Sequence, residues 1–261
     1  MRKTTALYLA AVFVPVAAAA VGPHLGELRG SLGIDAEYTA DGDLFSSATS
    51  DIADLGLLGP DYAGEGGQIE IRGASFNDVY DQPTTGIHAE LAYGVSDNIE
   101  VYGAIAWMQA GGNTIQMGDI IPTSTGDRLP LYATFEDLNS YSGEVGARYY
   151  FGEDVIRPFV GANLGATYTE EIRVALAAPD AGVLINDLRF YDSSTVLSAG
   201  VEAGIAFGDG QNVSGSVSVG AKYLSALNGN DEDISSYGLG SIVESSERIV
   251  IPVKGSLTLR F

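Results

Sequence analysis

The chain has 261 residues, 34 of them acidic and 13 basic, for a formal charge of −21, yet its mean hydropathy is positive. The charge argues against nucleic acid or an anionic bilayer surface as a partner. The lack of cysteine excludes disulfides, thiol catalysis and thiolate metal sites. An acidic chain that is also apolar must keep the two properties in different places.

At the amino end, Arg2 and Lys3 precede the uncharged run "LYLAAVFVPVAAAAV" at 7–21. A basic start, a short apolar stretch and an A-x-A site predict a secretory signal peptide over 1–20, cleaved after Ala20, with a single domain over 21–261. The run is short for a membrane helix and carries Pro15, and no other stretch approaches helical-span length. No cysteine follows the site, so a lipoprotein anchor is not expected.

Period-two alternation then predicts eight strands in chain order. Leu28, Leu32, Ile34 and Tyr38 share one face of the first, opposite Arg29, Asp35 and Glu37. In the second, Ile87, Leu91 and Tyr93 alternate with His88 and Glu90, and in the third Ile99, Val101, Ile105 and Trp107 alternate with Glu100 and Tyr102. The fourth sets Val145, Tyr149 and Phe151 against Glu144 and Arg148, and the fifth sets Val160, Leu164 and Tyr168 against Phe159 and Asn163. The sixth opposes Leu197, Val201, Ile205 and Phe207 to Glu202, and the seventh opposes Val217, Val219 and Tyr223 to Lys222. The eighth opposes Ile249, Ile251, Val253, Leu257, Leu259 and Phe261 to Lys254 and Arg260.

Segments of about ten residues have the length of tilted bilayer-crossing strands. Each bears an aromatic at or near its end on the apolar face, and these form two predicted girdles of four: Tyr38, Trp107, Tyr168 and Tyr223 at one rim, Tyr93, Phe151, Phe207 and Phe261 at the other. Alternation alone leaves open a lipocalin-like barrel with its apolar face inward. Two features favour the inverse. The polar faces are crowded with Gly, Ser and Ala, and their charges nearly balance: Asp35, Glu37, Glu90, Glu100, Glu144 and Glu202 against Arg29, Arg148, Lys222, Lys254 and Arg260, with His88 beside them. Such balance suits a lumen, where charges need partners. Short connections at 96–98, 152–156 and 208–211 alternate with long ones at 39–85, 109–140, 169–194 and 224–248, the periplasmic turns and extracellular loops of an outer-membrane barrel. The predicted fold is an all-β, eight-stranded antiparallel transmembrane barrel.

The stretches "LAYGVSDNIEVYGAIAW" at 91–107 and "YYFGEDVIRPFVGANLGATY" at 149–168 carry a resemblance to the small Gram-negative outer-membrane barrels of the OmpA/OmpX/OmpW-like group. The resemblance implies location in the outer membrane, contact with its lipid and lipopolysaccharide, and a terminal aromatic read by the barrel-assembly machinery. Leu257, Leu259 and Phe261 match that signal; the glycine frequent five residues before the end falls one place early, at Gly255.

The long connections hold 23 acidic residues against five arginines. A solvated, aggregation-resistant surface explains this. Divalent-cation binding at "DGD" (41–43), "NDVYD" (77–81) or "NGNDED" (228–233) is a sharper reading, although none matches an EF-hand loop. The alternating stretch at 67–76 is expected to pair within its loop or extend the wall; together with the stretch at 182–190 it would otherwise make a ten-stranded barrel. For catalysis, His88 has only Glu90 two residues on, where the lipid A deacylase barrels have Ser, so the pair reads as part of the charge network and no cofactor is expected. Eight strands leave a lumen that side chains fill. The expected role is non-enzymatic: surface interaction, adhesion or envelope integrity. A narrow channel or route for small or hydrophobic solutes is the alternative, and a lipid A-modifying enzyme a remoter one.

Overall fold

The computed structural model describes residues 21–58, 62–208, 212–229, 242 and 246–261. The predicted signal peptide lies outside them, as do parts of the turn at 208–211 and of the acidic stretch at 228–233. From the amino end the strands are β1 (Leu28–Asp41), β2 (Asp43–Phe45), β3 (Ala48–Ile52), β4 (Gly67–Ile71) and β5 (Ala74–Ser75), with one helical turn, α1 (Phe76–Val79). They continue as β6 (Thr84–Gly94), β7 (Ile99–Ala110), β8 (Thr114–Pro122), β9 (Leu129–Phe135), β10 (Leu138–Tyr150) and β11 (Ile156–Thr169). The last are β12 (Ile172–Ala178), β13 (Val183–Tyr191), β14 (Ser194–Gly208), β15 (Val213–Leu224) and β16 (Arg248–Arg260).

Eight of these, in the order β1-β16-β15-β14-β11-β10-β7-β6, close an antiparallel barrel, and they are the eight predicted strands. Closure satisfies every ladder without an exposed edge, which a hydrocarbon environment demands. The seam joins β1 to β16 in an unbroken register from Arg29↔Arg260 through Asp35↔Lys254 to Thr39↔Val250. The backbone N–H of Phe261 donates to the Leu28 carbonyl, and its ring lies against Gly30 on the outer wall, so the last residue fastens the seam.

The predicted apolar faces point outward. Leu32, Val145 and Leu164 are 70%, 65% and 64% exposed, while Arg29, Asp35, His88, Glu100, Glu144, Glu202 and Lys222 are buried inside. This rules out the lipocalin-like arrangement. All eight predicted girdle aromatics lie on the outer wall, and the structure adds one to each ring. Tyr141 sits between Trp107 and Tyr168 at the long-loop rim, and Tyr149 stacks edge-on against Phe151, 5.0 Å away, at the other. Tyr141 was missed because β10 begins at Leu138, six residues before the predicted start at Glu144.

The long connections are not plain loops. β13-β12-β9-β8-β4-β3 form a second, six-stranded sheet whose strands follow the neighbour order of the barrel strands they continue or feed. The stretch at 67–76 supplies β4, β5 and the start of α1, and that at 182–190 supplies most of β13; both pair among the loops and neither enters the barrel, so the barrel has eight strands rather than ten. This cap has its own core. Phe45, Phe135 and Phe190 meet at centroid distances of 5.3–6.2 Å, joined by Leu131, Val174, Leu176 and Leu188.

A lysine at Val145 would place a charge in the middle of the apolar belt. Val145→Lys is expected to lower the stability of the barrel folded in lipid vesicles by about 2–4 kcal/mol in denaturant titration, with Val145→Leu nearly neutral; an unchanged midpoint for the lysine would contradict the outward assignment.

Candidate functional site: a filled lumen beneath a β-cap

The inward faces of the barrel strands carry a continuous polar network. Arg148, on β10, is its hub. Its guanidinium binds both oxygens of Glu90 at 2.7 Å, Glu202 at 2.6 Å and Glu100 at 3.1 Å, and lies 3.9 Å from the centre of the Tyr102 ring. Glu100 also pairs with Arg29 and accepts from the Tyr150 hydroxyl at 2.7 Å, and Glu202 accepts from Tyr102 at 3.2 Å. Nearer the cap, Lys222 pairs with Glu37 and, at 3.2 Å, with Glu144, which also holds Lys254 at 3.1 Å. The barrel strands supply carboxylates and cations at matching heights, so each charge of this network meets an opposite one.

Two predicted assignments change. His88 does not pair with Glu90, which belongs to Arg148. Its Nδ1 lies 2.7 Å from Asp35 and its Nε2 lies 2.9 Å from the Ser256 hydroxyl. The ring fits only because position 33 is glycine: a Cβ there would come within 2.4 Å of His88 Cε1. Arg260 lies outside the hub and pairs with Glu27 at the short-turn end. Sequence reading also missed Arg157, which falls on the inward parity of Phe159 and Asn163; that parity was the available signal. Its guanidinium is buried at the short-turn mouth against the carbonyls of Val21 (2.9 Å) and Asp97 (3.0 Å).

The chain Ser256–His88–Asp35 has the order of a nucleophile, a base and an orienting carboxylate. Acyl transfer needs a carbonyl within about 3 Å of the hydroxyl and space for the rest of the substrate. The void beside His88, lined by Asp35, Glu37, Glu144, Lys222 and Lys254 among others, measures about 10 Å³, enough for one water. The void beneath Glu202 and Lys254 has the same size. Among the described residues this arrangement can bind a water and tie β1, β6 and β16 together, and it has no room for a lipid or peptide.

Above the network the lumen becomes apolar. The short ribbon β2–β5 and the turn α1 push Leu44, Phe45, Phe76 and Val79, all but fully buried, into the mouth. Arg248 marks the boundary, stacked 4.6 Å from the centre of the Phe76 ring. Asp78, one of the cation candidates, instead caps α1 by accepting from the Ser75 N–H and hydroxyl at 2.8 Å, and Asp81 accepts from Asn113 at 2.8 Å. No group of three or more His, Asp or Glu converges as a metal site among the described residues.

On the outside of the cap, arginines are tied to carboxylates. Asp119 holds Arg72 at 2.6 Å and Arg128 at 3.1 Å, and Arg128 also grips Glu70, whose hydrogen bonds hold its guanidinium above its usual pKa. Arg173 is raised in the same way between Asp187 and Glu171, and Arg189 lies 3.7 Å from Asp192. The few basic groups thus neutralise part of the cap's own acid and leave a negative surplus on its surface.

No protein-family model matches the sequence, and no curated protein matches it. Solved structures with a similar trace include the outer membrane protein OprG from Pseudomonas aeruginosa (14% identity, 92% of this chain and 98% of that one, TM-score 0.45). Others are Ail, the attachment invasion locus protein of Yersinia pestis (14%, 91% and 100%, 0.41), and Neisserial surface protein A (11%, 90% and 96%, 0.41).

Replacing Arg148 by Met strands Glu90 and Glu202 without a cation and leaves Glu100 to Arg29 alone. The loss is expected to be about 3–5 kcal/mol in vesicles, and Glu202→Gln in the same chain should recover part of it. A loss below about 1 kcal/mol would show that the hub is solvated rather than sealed. Closed by its own ladders, apolar on its outer wall between two aromatic rings and charged within, the chain is an eight-stranded transmembrane β-barrel.

Proposed function

We propose that the protein is a non-conducting, non-enzymatic barrel that holds an acidic β-cap at the cell surface for contact with another surface or for envelope integrity. The observation that carries this reading is the filled interior: ion pairs occupy the lower lumen, loop-derived Leu and Phe side chains the upper. Two voids beside this network, one under Glu202 and Lys254 and one at His88, hold a single water each. A solute channel needs a continuous path, and an enzyme of lipid A needs a substrate-sized recess at the outer rim.

The cap, by contrast, is built to be displayed. Its six strands and aromatic core give it a fixed shape, unlike a mobile loop cluster, and its acidic surplus suits a basic partner surface. The test is to replace the hairpins β8–β9 and β12–β13 with short turns while keeping the barrel strands. Surface attachment or envelope resistance should fall to the level of a strain lacking the protein; a full phenotype from the bare barrel would refute the assignment.

Planar-bilayer recordings of the intact protein should be silent under an applied voltage, and liposomes carrying it should not swell in small sugars. Sustained unitary conductance would favour the transport alternative. Lipid A profiles with and without His88 should have the same masses.

A further inference from the structure

At the short-turn end, residues 21–27 run across the barrel mouth rather than away from it. Val21 is only 1% exposed, its side chain packed with Tyr150, Phe159 and Ala206. Its N–H donates to the Asp154 carbonyl at 3.2 Å and its carbonyl accepts from Arg157 Nη1 at 2.9 Å. Gly22 adopts φ +108°, and a Cβ there would lie 2.7 Å from the same guanidinium nitrogen, so only glycine fits the approach. Arg157 reaches on with Nη2 to the Asp97 carbonyl at 3.0 Å and to Asn98 Oδ1 at 3.2 Å. The strap is fixed at its other end by Leu25 N–H to Asp97 Oδ1 (3.2 Å), Gly26 N–H to the Gly94 carbonyl (2.8 Å) and Gly94 N–H to the Glu27 carbonyl (2.9 Å). One buried arginine therefore joins the β10–β11 turn, the β6–β7 turn and the first described residue of the chain.

The sequence places signal cleavage after Ala20, which makes Val21 the first residue of the exported protein. We propose that this end of the barrel is a binding seat whose ligand is the protein's own processed amino terminus. Val21 and Gly22 form a stopper in the periplasmic mouth, with Arg157 as its anchor. The argument is one of shape and satisfaction. The seat offers the Asp154 carbonyl to the Val21 nitrogen, an ammonium donor once the signal is removed, a guanidinium to its carbonyl, an apolar cup for a small branched side chain, and room at the second position for glycine alone. A flexible leader does not need a buried arginine; an arginine buried there without the Val21 carbonyl would lose a hydrogen bond in a desolvated site. The inference rests on the barrel reading above and on the signal peptide expected at 1–20.

The chain's lack of cysteine gives a direct test. Ser214 lines the small void of about 10 Å³ behind Val21 and Gly22, so Ser214→Cys reports whether the mouth is covered. In the exported protein, folded in detergent, this thiol should react with a water-soluble maleimide at least tenfold more slowly than after Gly22→Val, Val21→Asp or Arg157→Met. Heat-modifiable gel migration, read on the same samples, separates an opened mouth from a lost barrel. Val21→Asp alters the stopper at a point outside every strand, so the test stands even if the other two variants fold poorly. Intact mass should identify Val21 as the first residue. Equal labelling rates in parent and Val21→Asp, or an exported chain starting beyond Val21, would overturn the proposal.

Discussion

The structure depends on one constraint: a strand crossing hydrocarbon can expose no backbone polar group and no charge on its outer face. The closed order of eight strands meets the first demand through its ladders, seam included. The second forces the charged side chains of those strands inward, where desolvation then requires a partner. Arg148 between Glu90, Glu100 and Glu202, and Lys222 and Lys254 around Glu144, are the consequence. The filled lumen therefore follows from the chemistry of the wall, and the proposed non-conducting role rests on that filling.

The same constraint explains why the chain changes its grammar at the outer rim. On β11 the even positions Leu164, Ala166 and Tyr168 face lipid, whereas on β12 the even positions Ile172, Val174, Leu176 and Ala178 are buried in the cap. The wall has the same strand pattern on both sides of the rim, but the solvent has changed from hydrocarbon to water, so the apolar side turns from outside to inside. The break at Glu170 and Glu171, between the two strands, is where that reversal takes place. β9 and β10 repeat it: Leu131 and Phe135 point in, Tyr141 and Val145 point out, with Glu136 and Asp137 between.

This reversal also sets what was legible in the sequence. The eight barrel strands, their lipid-facing side and the girdle aromatics could be read because period-two alternation and terminal aromatics are local signals. The lumen residues could be named, but their partners could not, since pairing depends on heights around a closed cylinder. His88 reached Asp35 across the β1–β6 ladder and Ser256 across the seam, not its near neighbour Glu90. Most of the cap, beyond the stretches at 67–76 and 182–190, went unread for a different reason. Its strands alternate as cleanly as those of the barrel, β12 above all, but they lie in acidic, glycine-containing stretches and bury the opposite face, so they fell into what looked like loops. Arg157 was visible by parity and hidden by its place at the edge of an apparent turn.

Trp107 is the single tryptophan of the chain, on the outer wall at the long-loop rim, and it offers the most direct measurement of the arrangement. In bilayer vesicles its fluorescence should be blue-shifted and quenched by lipids brominated near the headgroup end of the acyl chain, with little effect from aqueous acrylamide. Strong acrylamide quenching with no response to brominated lipid would place the apolar face of the barrel away from the membrane and contradict the account.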